Sequence, residues 1–164
     1  MSEDKAAVKR LACRIHEDSI RIGSVILHLE ESLELLLEPS QLTPVLLQRV
    51  MEATAVELHG FYTGTEKIIE RLVEYKTGSI PSGKSSHQEL LITASEIGLL
   101  SEDQHTFLRE LGALRHFVRH SYGIELDLPD LTSSTKAVIA AWPDLSTTFD
   151  RQEQALIESL SREV

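Results

Sequence analysis

From about Asp4 to Leu37, the residues Val8, Leu11, Ile15, Ile22, Val25, Ile26, Leu29, Leu33 and Leu36 return at steps of three and four, with one gap of seven. Spacing sustained over so long a stretch predicts one long amphipathic helix. The segment Glu38 to Pro44 breaks it, with Thr43 placed to cap a second helix and Pro44 suited to that helix's first position. The second helix runs from about Val45 to Lys76, carries Leu46, Val50, Leu58, Phe61, Ile68, Leu72 and Tyr75, and meets Gly78 where a left-handed cap belongs. After a loop of Gly, Ser and Pro (Thr77 to Ser86), a short helix from about His87 to Ile97 ends at Gly98. Ser101-Glu102-Asp103-Gln104 reads as a capping box for a helix to Tyr122, stopped by Gly123. Ile124 to Leu131, with Pro129, reads as a connector, and a last helical region from about Ser133 to Arg162 is expected to be interrupted or kinked at Pro143. Only 8 Gly and 5 Pro occur in 164 residues and aromatics make up 5%, so the core is aliphatic and the turns are few. The expectation is an all-α, antiparallel bundle of four or five helices in a single domain, residues 1–164.

Charge narrows the function classes. Lys and Arg number 16 against 26 Asp and Glu, and the net charge of −10 repels polyanions and excludes indiscriminate coating of nucleic acid. Any contact with RNA must be local. The single cysteine, Cys13, has no partner for an internal disulfide and reads as a small buried apolar residue in a reducing compartment. No apolar stretch approaches the roughly 20 residues that cross a bilayer, and Met1 to Arg10 has no hydrophobic signal region, so the expected location is the cytosol and no membrane contact is expected.

Gly78-Ser79-Ile80-Pro81-Ser82-Gly83-Lys84-Ser85 satisfies the phosphate-loop pattern letter for letter. That loop works because a buried strand delivers it and a helix N-terminus receives the anion. Here Glu66 to Tyr75 has helical spacing with a charge on every turn, so the match is read as a solvated loop between helices.

The segment His105 to His120 holds three of the seven histidines together with Arg109, Arg115 and Arg119, in a chain that is acidic elsewhere. It is the best anion site in the sequence. On a wheel of 100° per residue, Phe107, Leu111, Leu114 and Val118 form an apolar stripe, with Arg115 and Tyr122 within about 40° of its centre. His116 and His120 fall on roughly the opposite face. A guanidinium within an apolar stripe is costly unless it is paired or faces a wet cleft, so Arg115 needs a reason for its place. His116 and His120 have zinc-ligand spacing, but no Glu lies between them and Arg119 would repel a cation.

Leu114-Arg115-His116-Phe117-Val118-Arg119-His120-Ser121-Tyr122-Gly123 contains Arg-x4-His-x-Tyr and resembles the signature of the HEPN superfamily, in particular the HepT-like ribonuclease toxins. The likeness extends over roughly Val56 to Leu131, through His59-Gly60-Phe61-Tyr62, Ile80-Pro81-Ser82-Gly83, His87-Gln88-Glu89-Leu90-Leu91 and the stretch after Tyr122. Ser86 departs from it, since relatives commonly carry an aromatic residue there.

The resemblance implies a HEPN-type bundle acting as a homodimer: a metal-independent endoribonuclease toxin that needs no cofactor and cuts its RNA substrate at a cleft between two chains. By position, it makes Arg115 and His120 catalytic, with His116 and Arg119 in support. It makes Tyr122 the residue that a minimal nucleotidyltransferase antitoxin of the MntA type modifies with AMP. The residue types suit the reaction. An imidazole with an unperturbed pKa near 6.5 can give or take a proton, and a guanidinium stays charged and grips phosphate. Arg115 and His120 stand about 140° apart on an ideal helix and converge poorly within one chain, which a twofold interface or a distorted last turn would resolve. The rival reading is a non-catalytic helical module that docks a nucleotidyltransferase or presents substrate to it. A phosphate-loop enzyme is a distant third.

Overall fold

The structure, a computed structural model, describes residues 3–83, 85–120 and 126–162, with side chains for 4–83, 85–113 and 126–161. Among the described residues there are five α-helices and no strand: α1 (Glu3–Leu37), α2 (Pro44–Thr77), α3 (Ser86–Glu96), α4 (Glu102–His120) and α5 (Leu128–Arg162). The molecule is an all-α bundle.

Local chemistry sets most of the boundaries. Thr43 is extended and its hydroxyl accepts the Leu46 N–H at 3.3 Å, with Pro44 in the first turn, where no N–H is required. Gly78 closes α2 at φ +81°, a conformation that disfavours any side chain, and its N–H donates to the Glu74 carbonyl at 2.8 Å. The capping box is present: Ser101 N–H donates to Gln104 Oε1 at 3.0 Å, and Gln104 N–H to Ser101 Oγ at 3.2 Å.

Two expectations about α5 and one about Cys13 need correction. α5 starts at Leu128, five residues earlier than the apolar pattern indicates, because Asp127 caps it by accepting the Asp130 N–H at 2.9 Å and Pro129 falls in the first turn. Nor does Pro143 interrupt α5, which runs through it as one helix. Cys13 is exposed on α1, not buried.

α1 packs along both α2 and α5. Its partners run antiparallel to it: Asp18 meets Arg71 and His28 meets Glu57 on α2, while His16 meets Glu153 and Gly23 approaches Trp142 on α5. The core between them is aliphatic, with Ile15, Leu29, Ile68, Ile69, Val73, Val138 and Leu145 sealed from solvent. Burial of each such side chain stabilises by about 1.5–3 kcal/mol before the entropy of ordering is subtracted. One aromatic knot crosses it. The ring of Phe61 on α2 meets Phe107 on α4 edge-on at 6.5 Å and Trp142 on α5 edge-on at 6.1 Å. Asp18, nearly buried on α1, pairs with Arg71 and more distantly with Arg21, so its charge is compensated across the α1/α2 seam. None of the described helices is long and apolar enough to cross a membrane.

Candidate functional site

α4 carries four of the five candidate residues, so the way it is seated decides what they can do. Its first turn is fastened to α5 by Gln104, which is only 6% exposed. Beyond the capping box, the Gln104 amide donates to the Asp144 carboxylate at 2.7 Å and to the Thr148 hydroxyl at 2.9 Å. A buried amide with its donors engaged holds both position and rotation of the helix.

The next turns pack through Leu108 and Leu111, both buried, with Phe107 against the core, while Arg109 and Glu110 are exposed. The inward face is therefore centred between Gln104, Leu108 and Leu111, rotated by roughly 50° from the stripe of Phe107, Leu111, Leu114 and Val118 inferred from hydropathy alone. The rotation has a cause that hydropathy does not weigh. Gln104 is polar, yet α5 offers it acceptors.

α4 then crosses α2 closely. Gly112 faces the phenol of buried Tyr62, and a Cβ at this position would lie 3.0 Å from the Tyr62 oxygen and 3.4 Å from its ring. Only a glycine lets the two helices meet at this distance without displacing the ring.

By the register of residues 104–111, position 115 falls within about 30° of the middle of the inward face and position 119 nearer its edge; positions 116 and 120 fall more than about 100° away. Arg115, His116, Arg119 and His120 thus occupy the final turns of α4, on two different sides of it. Their side chains lie outside the described residues, and Tyr122 lies outside them altogether.

Among the described residues, several carboxylates and imidazoles join helices, whereas the Nδ1 of His59 on α2 is buried with no hydrogen-bond partner. Buried Glu66 on α2 meets His87 of α3, with Nδ1 to Oε1 at 2.5 Å, and this pair seats α3 beside α2. Glu57 on α2 accepts the Ser32 hydroxyl at 3.3 Å and faces His28 at 3.9 Å. Partial burial raises the Glu57 pKa above the ordinary carboxylate value, and the Ser32 hydrogen bond and His28 only partly offset that. His16, His28 and His87 each face a carboxylate on another helix.

The phosphate-loop match fails in its setting. α2 continues through Thr77, whose hydroxyl bonds the Val73 and Ser79 carbonyls, and Gly78 caps that helix, so a helix and not a strand leads into the loop. Lys84 lies outside the described residues.

A family model described as HepT-like protein matches residues 53–156, from within α2 into α5. The match takes in α3 and α4 whole, and with them positions 115 to 122. A search of curated proteins found no match.

Proposed function

Since the chain belongs to the HepT-like family, we propose that it is a metal-independent endoribonuclease toxin acting in the cytosol as a homodimer, with Arg115 and His120 as its catalytic pair. The observation that carries this reading is the family match running across α4, where Arg115-x4-His120-x-Tyr122 stands in an otherwise acidic chain. In the proposed reaction the RNA's own 2′-oxygen attacks phosphorus as its proton passes to one imidazole. The bond to the 5′-oxygen breaks as a second imidazole protonates it, and a cyclic 2′,3′-phosphate remains. Arg115 offsets the charge that accumulates on the phosphoryl oxygens.

A single His120 cannot hold both proton positions in one step. A second copy of the helix would supply the second imidazole and let an arginine and a histidine from different chains meet at one phosphate. His116 and Arg119 flank the pair, as further donors for an RNA strand. Tyr122 is the proposed site where a nucleotidyltransferase antitoxin attaches AMP, whose bulk and negative charge near the phosphate site would repel RNA.

Expression of the wild type, Arg115→Ala and His120→Ala, with growth arrest and RNA cleavage measured in the presence of a chelator, tests the reading. Loss of cleavage by about 100-fold or more in both variants is expected. Mass spectrometry after co-expression with a neighbouring nucleotidyltransferase should find the AMP adduct on Tyr122. The net charge of −10 favours a second reading, a non-catalytic helical partner of a nucleotidyltransferase, because it slows encounter with RNA; indistinguishable behaviour of all three proteins would establish that reading instead.

A further inference from the structure

A groove of about 670 Å³ opens at one end of the bundle, between the first turns of α1, the last turn of α2 and the last turns of α5. Four cations line it, Lys5, Arg10, Arg14 and Arg71, against the two carboxylates Asp4 and Glu74. In a chain whose acidic residues outnumber its basic ones by ten, this is a local reversal of sign. Among the described residues, neither Arg10 nor Arg14 has an ion-pair partner. Arg71 is held in place by Asp18, and its pKa is lowered first by burial and then by the charge of Arg14 beside it. Two guanidiniums have thus been brought close on neighbouring helices while only one is answered by a carboxylate, an arrangement that an arriving anion relieves.

The rest of the lining says what kind of anion. Val8, Leu11 and Leu160 give the groove an apolar floor, and Tyr75, 47% exposed, stands at its wall. Arg10 and Arg14, one turn apart, share a face of α1 and stand about 6 Å apart along its axis, room for two successive phosphates, whereas Lys5 lies about 140° round the helix from Arg10. A row of cations beside an aromatic face is the pairing by which proteins hold a single strand, backbone on the charges and bases on the ring.

We propose that this groove binds single-stranded RNA, its phosphodiester backbone on Arg10 and Arg14 and a base against Tyr75, as an accessory site apart from α4. The proposal deepens the ribonuclease reading and rests on it for the identity of the ligand. Tyr75 lies 13 residues beyond Tyr62, where α2 meets Gly112, hence about 20 Å along the helix axis. A strand held in the groove therefore lies well away from the crossing of α4 and α2. An acidic protein would in this way retain a polyanion through one small patch while the remainder of its surface repels it.

Fluorescence anisotropy with a labelled oligouridine, using the full chain carrying His120→Ala so that the strand stays intact, tests the site. Arg10→Gln/Arg14→Gln should bind roughly tenfold more weakly, with a salt dependence shallower by about 1.4 in logarithmic slope for two lost phosphate contacts. Tyr75→Leu should weaken binding about fivefold or more through lost stacking. The control Arg49→Gln/Lys136→Gln removes the same charge from exposed positions away from the groove. Equal weakening by the two double variants would reduce the effect to net charge and overturn the proposal. So would competition by AMP or inorganic phosphate as effective, per phosphate, as competition by unlabelled RNA, because the groove would then hold an isolated phosphate and no strand. Both double variants change exposed side chains, and circular dichroism verifies that they are folded. A wild type that fails to cleave RNA would sink the ribonuclease reading; the anisotropy series reports on the groove independently of cleavage.

Discussion

At the scale of single residues, two glycines in helices of the same bundle should respond oppositely to alanine. A methyl group added at Gly60 on α2 would meet nothing within 4 Å, so Gly60→Ala should stabilise by about 0.5–1 kcal/mol through helix propensity. Gly112→Ala gains the same propensity but drives a methyl group against buried Tyr62, and overpacking of that kind costs about 1–3 kcal/mol. Urea denaturation of the two variants should therefore give midpoints on opposite sides of the wild type. Glu57 supplies a pH signature. Its folded pKa is raised, so its contribution to stability is present below the unfolded value and is lost as pH rises through the folded one. Glu57→Gln should accordingly raise the melting temperature at pH 7 more than at pH 4, measured by thermal melts across that range. Residues that act on their own neighbours along the chain, such as Thr43, Gly78, Ser101 and Gln104, are legible in the sequence itself. Gly112 is not, since its role depends on Tyr62 fifty positions away.

At the scale of elements, the helical period locates both ends of α1, α2 and α3 and the start of α4 to within a residue or two, the expected stop of α4 at Gly123 lies outside the described residues, and the misplaced start of α5 has a specific source. Ile124 to Leu131 mixes polar and apolar residues, and Pro129 reads as a breaker until it is recognised as a first-turn proline behind the cap Asp127. Asp127→Ala should cost about 1 kcal/mol, with the loss visible as earlier melting and no change in the slope of the denaturant transition. The rotation of α4 escapes a hydropathy reading for a related reason. Gln104 is scored as polar and sent outward, whereas Asp144 and Thr148 of α5 draw it inward. Phe61 is the side chain on which three helices converge, and Phe61→Ala should cost about 3–5 kcal/mol.

At the scale of the whole molecule, the proposed chemistry needs two copies, and native mass spectrometry should find a dimer; a monomer at micromolar concentration would remove the geometry by which Arg115 and His120 meet one phosphate. The all-α architecture and the candidate segment could be read from the sequence because both are local patterns, one a period and the other a short motif. The basic groove could not, as its cations come from α1 and from Arg71 nearly sixty residues later, diluted by an acidic average. The close crossing at Gly112 has one more consequence. Upstream of it, α4 is clamped in rotation by Gln104, Leu108 and Leu111, so everything downstream inherits a phase that it does not set for itself. Inserting one alanine after Ala113 would leave those clamps untouched and turn the final two turns by about 100° while advancing them 1.5 Å, a twist of the screw that changes no functional group yet redirects each one.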